Sequence, residues 1–389
     1  MGYMRKHPRL TVYIFVWAAV LVLNVIAWKS TAFCDGYIAW IFPVWVNTYG
    51  RVTGWFPFSV GEWMLVAAVA LVILVLLHGL LRVVAGFCAV GKTKDRLCRW
   101  CKGFFLFSAW VAAGVALVMT LNCTILYHGS SLADRCFTPR QEPYTLEELT
   151  KVRNLVVEKC NELAMQMPRD EQGNIIYTGS YDRQGNPVDL EEQAILIMQK
   201  LGSTYSQFDG YYPRPKAMFF SDFMCQQYMQ GYYFPFSLES NYNDVMCFIN
   251  KPATLCHELV HLRGYIYEDE ANFLSYVACT ESEDLFFRYS GYLSVLYYLD
   301  NDFYRAVGRD YDRYSREPAI LPVVHWDTTF VSEEEWERIN GESLIDTEVV
   351  EAASDTFVDT SLKLNGVKDG KISYSRVVEL LLRYYLDGQ

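Results

Sequence analysis

The chain has 389 residues, 52% of them hydrophobic, and a formal net charge of −11. That length accommodates a membrane part plus one sizeable globular domain, and the acidity argues against nucleic acid as a partner. The charge is unevenly placed: residues 1–126 carry eleven Lys and Arg against three acids, a surplus of +8, which leaves −19 for the remainder. An acidic remainder of that size also disfavours docking on anionic lipid headgroups.

In chain order, three apolar stretches come first, at 10–28, 63–84 and 104–127. Each has about the 20 residues needed to cross a lipid bilayer. The first has no convincing small-residue cleavage site and two more follow, so it reads as a retained anchor rather than a signal peptide. Arg5, Lys6 and Arg9 precede it, and Arg82, Lys92, Lys94, Arg96, Arg99 and Lys102 end the second stretch or lie between it and the third. The intervening loop, 29–62, holds only Lys29 and Arg51. The positive-inside rule therefore predicts a multi-pass protein of the cell membrane with a cytoplasmic N-terminus. The expected division is a membrane domain over 1–128 and an extracytoplasmic domain over 129–389. Trp40, Trp45, Tyr49, Trp55 and Phe56 make the first loop strongly aromatic. Such rings favour the membrane–water interface, so the loop reads as re-entrant or interfacial, with the shaping of a substrate entrance as its functional alternative.

Thr145 with Glu148 forms a capping box that opens a helix to about 166. Polar turns at 171–174 and 182–187 bracket Ile175, Ile176 and Tyr177, a pattern for a short hairpin or structured loop. Asp189 with Glu192 caps the next helix, closed near Gly202. The alternation in 213–223 and 231–249 predicts strands with turns. Within it, 242–250 is the expected edge strand, able to take an extended peptide through main-chain hydrogen bonds. Helices dominate from Thr254 onward, including an aromatic one from about 284 to 299 and a terminal one over 373–385. Eleven cysteines show no framework spacing. Cys256 and Cys279, in apolar helical contexts, read as small core residues. A disulfide outside the spans is left open.

The chemistry concentrates at His257-Glu258-Leu259-Val260-His261, an HExxH motif in a helical stretch. Histidines four apart on a helix project from one face and can reach a single metal ion. Glu258 is then placed to act on water rather than as a ligand. Asp244, Lys251 and Arg263 interrupt any apolar run here, so the motif belongs to the aqueous domain and not to an intramembrane helix. Catalytic zinc usually has three protein ligands and one open position. Gly264 is suited to ending the first helix, and an acidic segment, Glu268-Asp269-Glu270-Ala271-Asn272, would open a second. Several HExxH families carry their glutamate ligand in an ExxA(D/N) pattern, which makes Glu268 the third ligand, with Glu270 the alternative. Asn272, one turn on, would hold a ligand histidine by its second ring nitrogen.

The run from Cys256 to Cys279 resembles a bacterial family of membrane-anchored HExxH proteins known only as a domain of unknown function. The likeness extends to 211–220, 231–236 and 373–385, most of the chain beyond the apolar stretches. Arg263 departs from the general zinc-peptidase pattern, in which an apolar residue is commoner. The resemblance implies an α+β chain: three N-terminal transmembrane helices, then a zincin-like, gluzincin-type metallopeptidase domain, mainly helical with a small sheet. It implies no particular substrate.

The expected activity is therefore zinc-dependent hydrolysis of a peptide or protein substrate, with His257, His261 and Glu268 as zinc ligands and Glu258 as general base. Tyr232, Tyr233 and Tyr242 are candidates for stabilising the oxyanion, and His325 is a further one. Two rivals use the same residues differently. One is a non-catalytic membrane sensor or assembly protein with a structural zinc site; the other is a zinc amidase acting on cell-wall peptides.

Overall fold

The computed structural model describes residues 7–88, 91–138, 140, 142–182, 184–367 and 376–387. Arg5, Lys6 and the 373–375 start of the expected terminal helix lie outside the described residues. Helix α1 (Pro8–Lys29) leads into α2 (Thr31–Gly36), a π turn (Tyr37–Ile41) and α3 (Phe42–Gly54). Then come α4 (Val60–Cys88) and α5 (Gly91–Met119), the latter continuing through a π turn (Thr120–Thr124) and a 3-10 turn (Leu126–His128). Helices α1, α4 and α5 with its continuation are long and apolar enough to cross a membrane. The three expected stretches are thus helical, and each runs past its predicted bounds.

The segment between α1 and α4 is helical as well. Ile38, Phe42, Val46, Gly50 and Thr53 recur at helical spacing and are buried. They press on the globular part: Ile38 lies 2.8 Å from where a β-carbon on Gly264 would stand, and the Thr53 hydroxyl donates to the Ser237 carbonyl at 2.7 Å. The opposite side carries Trp40, 79% exposed, with Trp45, Tyr49 and Trp55 also exposed. One face docks on protein, and the other offers aromatic rings of the kind that settle at a bilayer surface.

After α6 (Leu132–Cys136), α7 (Leu146–Ala164) opens with the Thr145–Glu148 capping box. Asp170 and Asp182 each accept amides two and four residues on, closing two similar loops. The hairpin forms around the second loop, between β1 (Ser180–Tyr181) and β2 (Pro187–Val188), while the 175–177 segment makes only an isolated bridge from Ile175 to Arg169. Helix α8 (Leu190–Thr204), capped by Asp189, comes next. Then follow β3 (Lys216–Ala217), α9 (Ser221–Gln226), β4 (Gly231–Phe234) and β5 (Glu239–Tyr242).

The sheet order is β3–β5–β4, with β5 parallel to β3 and antiparallel to β4. Two expectations need correction. The expected strand over 213–223 gives way to helix α9 from Ser221. The expected edge strand at 242–250 is not one: β5 ends at Tyr242, is paired on both flanks, and gives way to a 3-10 turn at Phe248–Asn250. The edge strands of this sheet are β3 and β4.

The core gathers α7 with α10 (Lys251–His261), α11 (Glu268–Thr280) and α12 (Leu285–Ala306), around Val156, Leu255, Leu259, Tyr276, Phe287 and Val295. Cys256 and Cys279 are fully buried there, and all eleven cysteines are unpaired. A side chain at Gly291 would meet the Cys279 β-carbon at 2.6 Å, so glycine lets α11 and α12 close. Arg153, itself fully buried, ties α7 to α12 through Asp300 at 2.7 Å. Outside this core lie α13 (Tyr311–Tyr314), α15 (Glu333–Glu342) and α16 (Thr347–Leu364), while α14 (Pro322–Asp327) adds the buried Val324 to it. Helix α17 (Val377–Leu386) buries Val377, Val378, Leu380 and Leu381, the docking its apolar face predicts. The described chain is mostly helical with a small sheet.

A buried ion pair joins the sheet to the apolar helices. Lys216 Nζ lies 2.5 Å from Glu239 Oε1 and also donates to the carbonyls of Thr53 and Phe58, at 2.9 and 3.0 Å. The Glu239 carboxylate accepts the Val60 and Gly61 amides, at 3.2 and 2.7 Å, at the electropositive start of α4. Glu62 answers from the helix side, accepting the amides of Phe219 and Phe220. Glu239→Ala would strand a buried ammonium and uncap α4, so it should cost about 3–5 kcal/mol. Thermal unfolding of the full chain in detergent checks this, and an unchanged melting temperature would contradict it.

Candidate metal centre

Helix α10 has Pro252 in its first turn, where a missing N–H costs no hydrogen bond, and ends at His261. Gly264, at φ +86°, reverses the chain, and α11 starts at Glu268. The reversal returns Glu268 to the histidine face of α10. His257 Nε2 lies 3.0 Å from Glu268 Oε2 and 3.2 Å from His261 Nε2, and the third separation, His261 Nε2 to Glu268 Oε2, is 3.8 Å. Neighbouring donors around a tetrahedral ion with bonds of about 2.0–2.1 Å stand about 3.3 Å apart. The three residues therefore form a group that could hold one metal ion.

Neighbouring groups fix the orientation of these side chains. His261 Nδ1 faces the Tyr265 carbonyl at 2.7 Å, a bond that places the ring proton there and leaves the Nε2 lone pair to the cluster. The Asn272 side chain, on α11, hydrogen-bonds the ring of His257. Glu270, the alternative ligand, is turned away: its carboxylate accepts the Leu132 amide at 2.5 Å. Arg263, the residue out of pattern, is buried with its guanidinium 4.3 Å from the Tyr212 ring centre and donates to the carbonyls of Asp209 and Tyr211. It thus serves as a buried strut.

Glu258 is buried, stays outside the three-donor group, and its Oε2 has no hydrogen-bond partner among the described residues. Burial pushes its carboxyl up to about 8, with His257 opposing and Glu268 adding to the shift. Burial also drives His261 down to about 4, against the pull of Glu268. For His257 burial works downward too, but the hydrogen bond and charge of Glu268 outweigh it and the ring is raised. Glu268 mirrors this: burial would raise it, yet the bond from His257 and the charges of His261 and His257 hold it below the usual range.

The edge strand β4 passes directly over Glu258. A β-carbon on Gly231 would lie 2.4 Å from Glu258 Oε1, so only glycine fits. Of the tyrosine candidates, Tyr232 follows Gly231 on β4 and is pushed up to about 12, chiefly by burial, with the Glu258 charge a lesser cause. Tyr233 stands behind His261, ring centres 5.8 Å apart, and its hydroxyl points to the Asn122 carbonyl at 3.4 Å. Tyr242 does not belong to the site: its hydroxyl donates to Glu191 at 2.6 Å. His325 is exposed on α14, which packs on α7. Sequence reasoning missed Gly231 and Tyr298. Tyr298, on α12, feels the charge of Glu268 and hydrogen-bonds the Asn272 side chain. Only the HExxH motif could have pointed toward Gly231, and nothing in an α12 rich in tyrosine singles out Tyr298.

The Gly231–Glu258 approach makes a coupled pair. Gly231→Ala should destabilise the protein by about 1–3 kcal/mol through overpacking, and most of that loss should vanish in a Glu258→Ala background. A double-mutant cycle by thermal unfolding reads the coupling, and additive effects would contradict the contact.

No curated protein and no solved structure matches the chain. A family model described as Protein of unknown function (DUF3810) matches residues 37–382, nearly the whole chain, and the chain belongs to that family.

Proposed function

We propose that the chain is a membrane-anchored zinc-dependent peptidase with a zincin-like, gluzincin-type catalytic domain. The observation that carries this reading is the convergence of His257, His261 and Glu268 beside a buried Glu258, not one of the three donors, whose Oε2 has no hydrogen-bond partner among the described residues. Two imidazoles and one carboxylate suit zinc, whereas calcium and magnesium prefer oxygen alone. A purely structural site would have no use for Glu258. When bound, zinc would supply Lewis acidity at an open fourth position.

The remaining roles fall to this chain's own groups. Glu258, buried beside the three donors but not one of them, is suited to take a proton from the attacking water and pass it to the leaving amine. Asn272 and the Tyr265 carbonyl keep the two imidazoles turned toward the cluster. Tyr232 and Tyr298 are the hydroxyl-bearing neighbours suited to stabilise a developing oxyanion. The free edge of β4 would take the substrate as an added strand. The excess of Lys and Arg at the opposite ends of the apolar helices supports a catalytic domain outside the cytoplasm.

Metal analysis of the purified full-length protein should find about one zinc per chain. His261→Ala should lose it. Glu258→Gln should keep the metal and cut turnover of a mixed peptide substrate by about 10²–10⁴-fold. A folded wild type without zinc, or a Glu258→Gln protein with undiminished turnover, would contradict the proposal.

A further inference from the structure

The candidate site is built against the ends of the apolar helices, and that placement selects a kind of substrate. Tyr267, the residue before Glu268, donates from its hydroxyl to the carbonyl of Tyr127, at the end of the third apolar stretch, at 2.5 Å, and their rings meet edge to face 5.5 Å apart. Asn122, in the π turn that ends α5, donates to the Pro235 carbonyl just past β4 at 2.7 Å. Strand β4 lies between the site and the helix ends. Its first residue, Gly231, lies on Glu258, and its last, Phe234, lies on Gly61 in the first turn of α4, where a β-carbon would meet the Phe234 ring at 2.4 Å.

Strand β4 thus runs from the proposed general base to the mouth of a membrane-spanning helix. At about 3.4 Å per residue, that path is about 10 Å long. Asn243 donates to the Gln230 carbonyl, so the antiparallel alternation leaves the amides of Gly231 and Tyr233 facing the other edge. Among the described residues no strand pairs with that edge. The exposed Trp40 and Trp55, flanking α3, and the exposed Phe219 and Phe223 are rings of the kind that settle at a bilayer surface.

We propose that the peptide cleaved here is itself attached to the bilayer, and that the bond cleaved lies within about four residues of the membrane surface. This rests on the peptidase reading above. A chain lying along β4 leaves the cluster at one end and reaches the start of α4 at the other, where a membrane-anchored substrate can continue into lipid at once. The juxtamembrane segment of a membrane protein has this form.

The test uses the full-length Glu258→Gln protein in phosphatidylethanolamine vesicles, so that binding rather than turnover is read. The probe is a synthetic apolar transmembrane helix bearing a mixed-sequence tail on the domain's side of the bilayer. One photoreactive diazirine residue sits either about four or about 16 residues from the helix, so both probes have the same anchor and the same membrane concentration. Labelling of residues 231–234, mapped by mass spectrometry, should be about tenfold stronger from the near position. Equal labelling from both positions, stronger labelling from the far one, labelling by the unanchored tail alone at the same level, or no labelling of β4 would overturn the proposal. Zinc content of the same preparation separates the two readings. Metal present with position-independent labelling removes only the membrane-proximal substrate; metal absent removes the peptidase reading beneath it.

Discussion

His261 is the last residue of one helix and Glu268 the first of the next, and the short reversal between them decides whether three donors can meet. Two histidines on one helical turn supply only two corners. The third corner needs a helix start aimed back at the same face, and a helix start is also where a carboxylate is electrostatically favoured. Gly264 makes the reversal possible by taking a left-handed conformation, and it does so in a place where Ile38 leaves no room for a β-carbon. The Tyr265 carbonyl, held inside the same reversal, fixes the His261 ring. Backbone conformation, packing and the orientation of a donor thus depend on one stretch of chain.

That stretch is also where the membrane-proximal segment meets the globular part. Ile38 and Phe42 press on Gly264 from the π turn and α3, and Tyr127 accepts from Tyr267. The buried Lys216–Glu239 pair fixes the sheet to the start of α4. Such a pair gains little net stability once desolvation is counted, but breaking it is costly, so it serves better as a registration device than as a source of stability. Its effect is to hold β4, and with it the Gly231–Glu258 contact, at a set height above the apolar helices.

How much of this was legible in the sequence follows from how local each feature is. The HExxH face and the Thr145 and Asp189 caps depend on residues three or four apart, and the helical period displays them. Glu268 was legible through its spacing to Ala271 and Asn272, but the exclusion of Glu270 was not, because its carboxylate is claimed by Leu132, far away in sequence. The edge strand was misplaced for the same reason: 242–250 alternates well enough, yet which strand lies at an edge depends on β3 and β4 pairing on either side of β5. Gly231 gave no signal of its own, because the Glu258 side chain that excludes a β-carbon there comes from a separate helix. In the 31–54 segment the buried stripe was present at helical spacing, but its aromatic residues drew attention to the lipid side and hid the side that docks on protein. Tyr298 gave no signal at all among its neighbours.

The central claim is that His257, His261 and Glu268 hold zinc, and the eleven unpaired cysteines give it a sharp competitor. Zinc K-edge X-ray absorption on the purified full-length protein addresses both at once. The account predicts nitrogen and oxygen neighbours at about 2.0–2.1 Å with imidazole scattering beyond them. Sulfur at about 2.3 Å would place the metal on cysteines and contradict the account, as would a folded protein that binds no zinc.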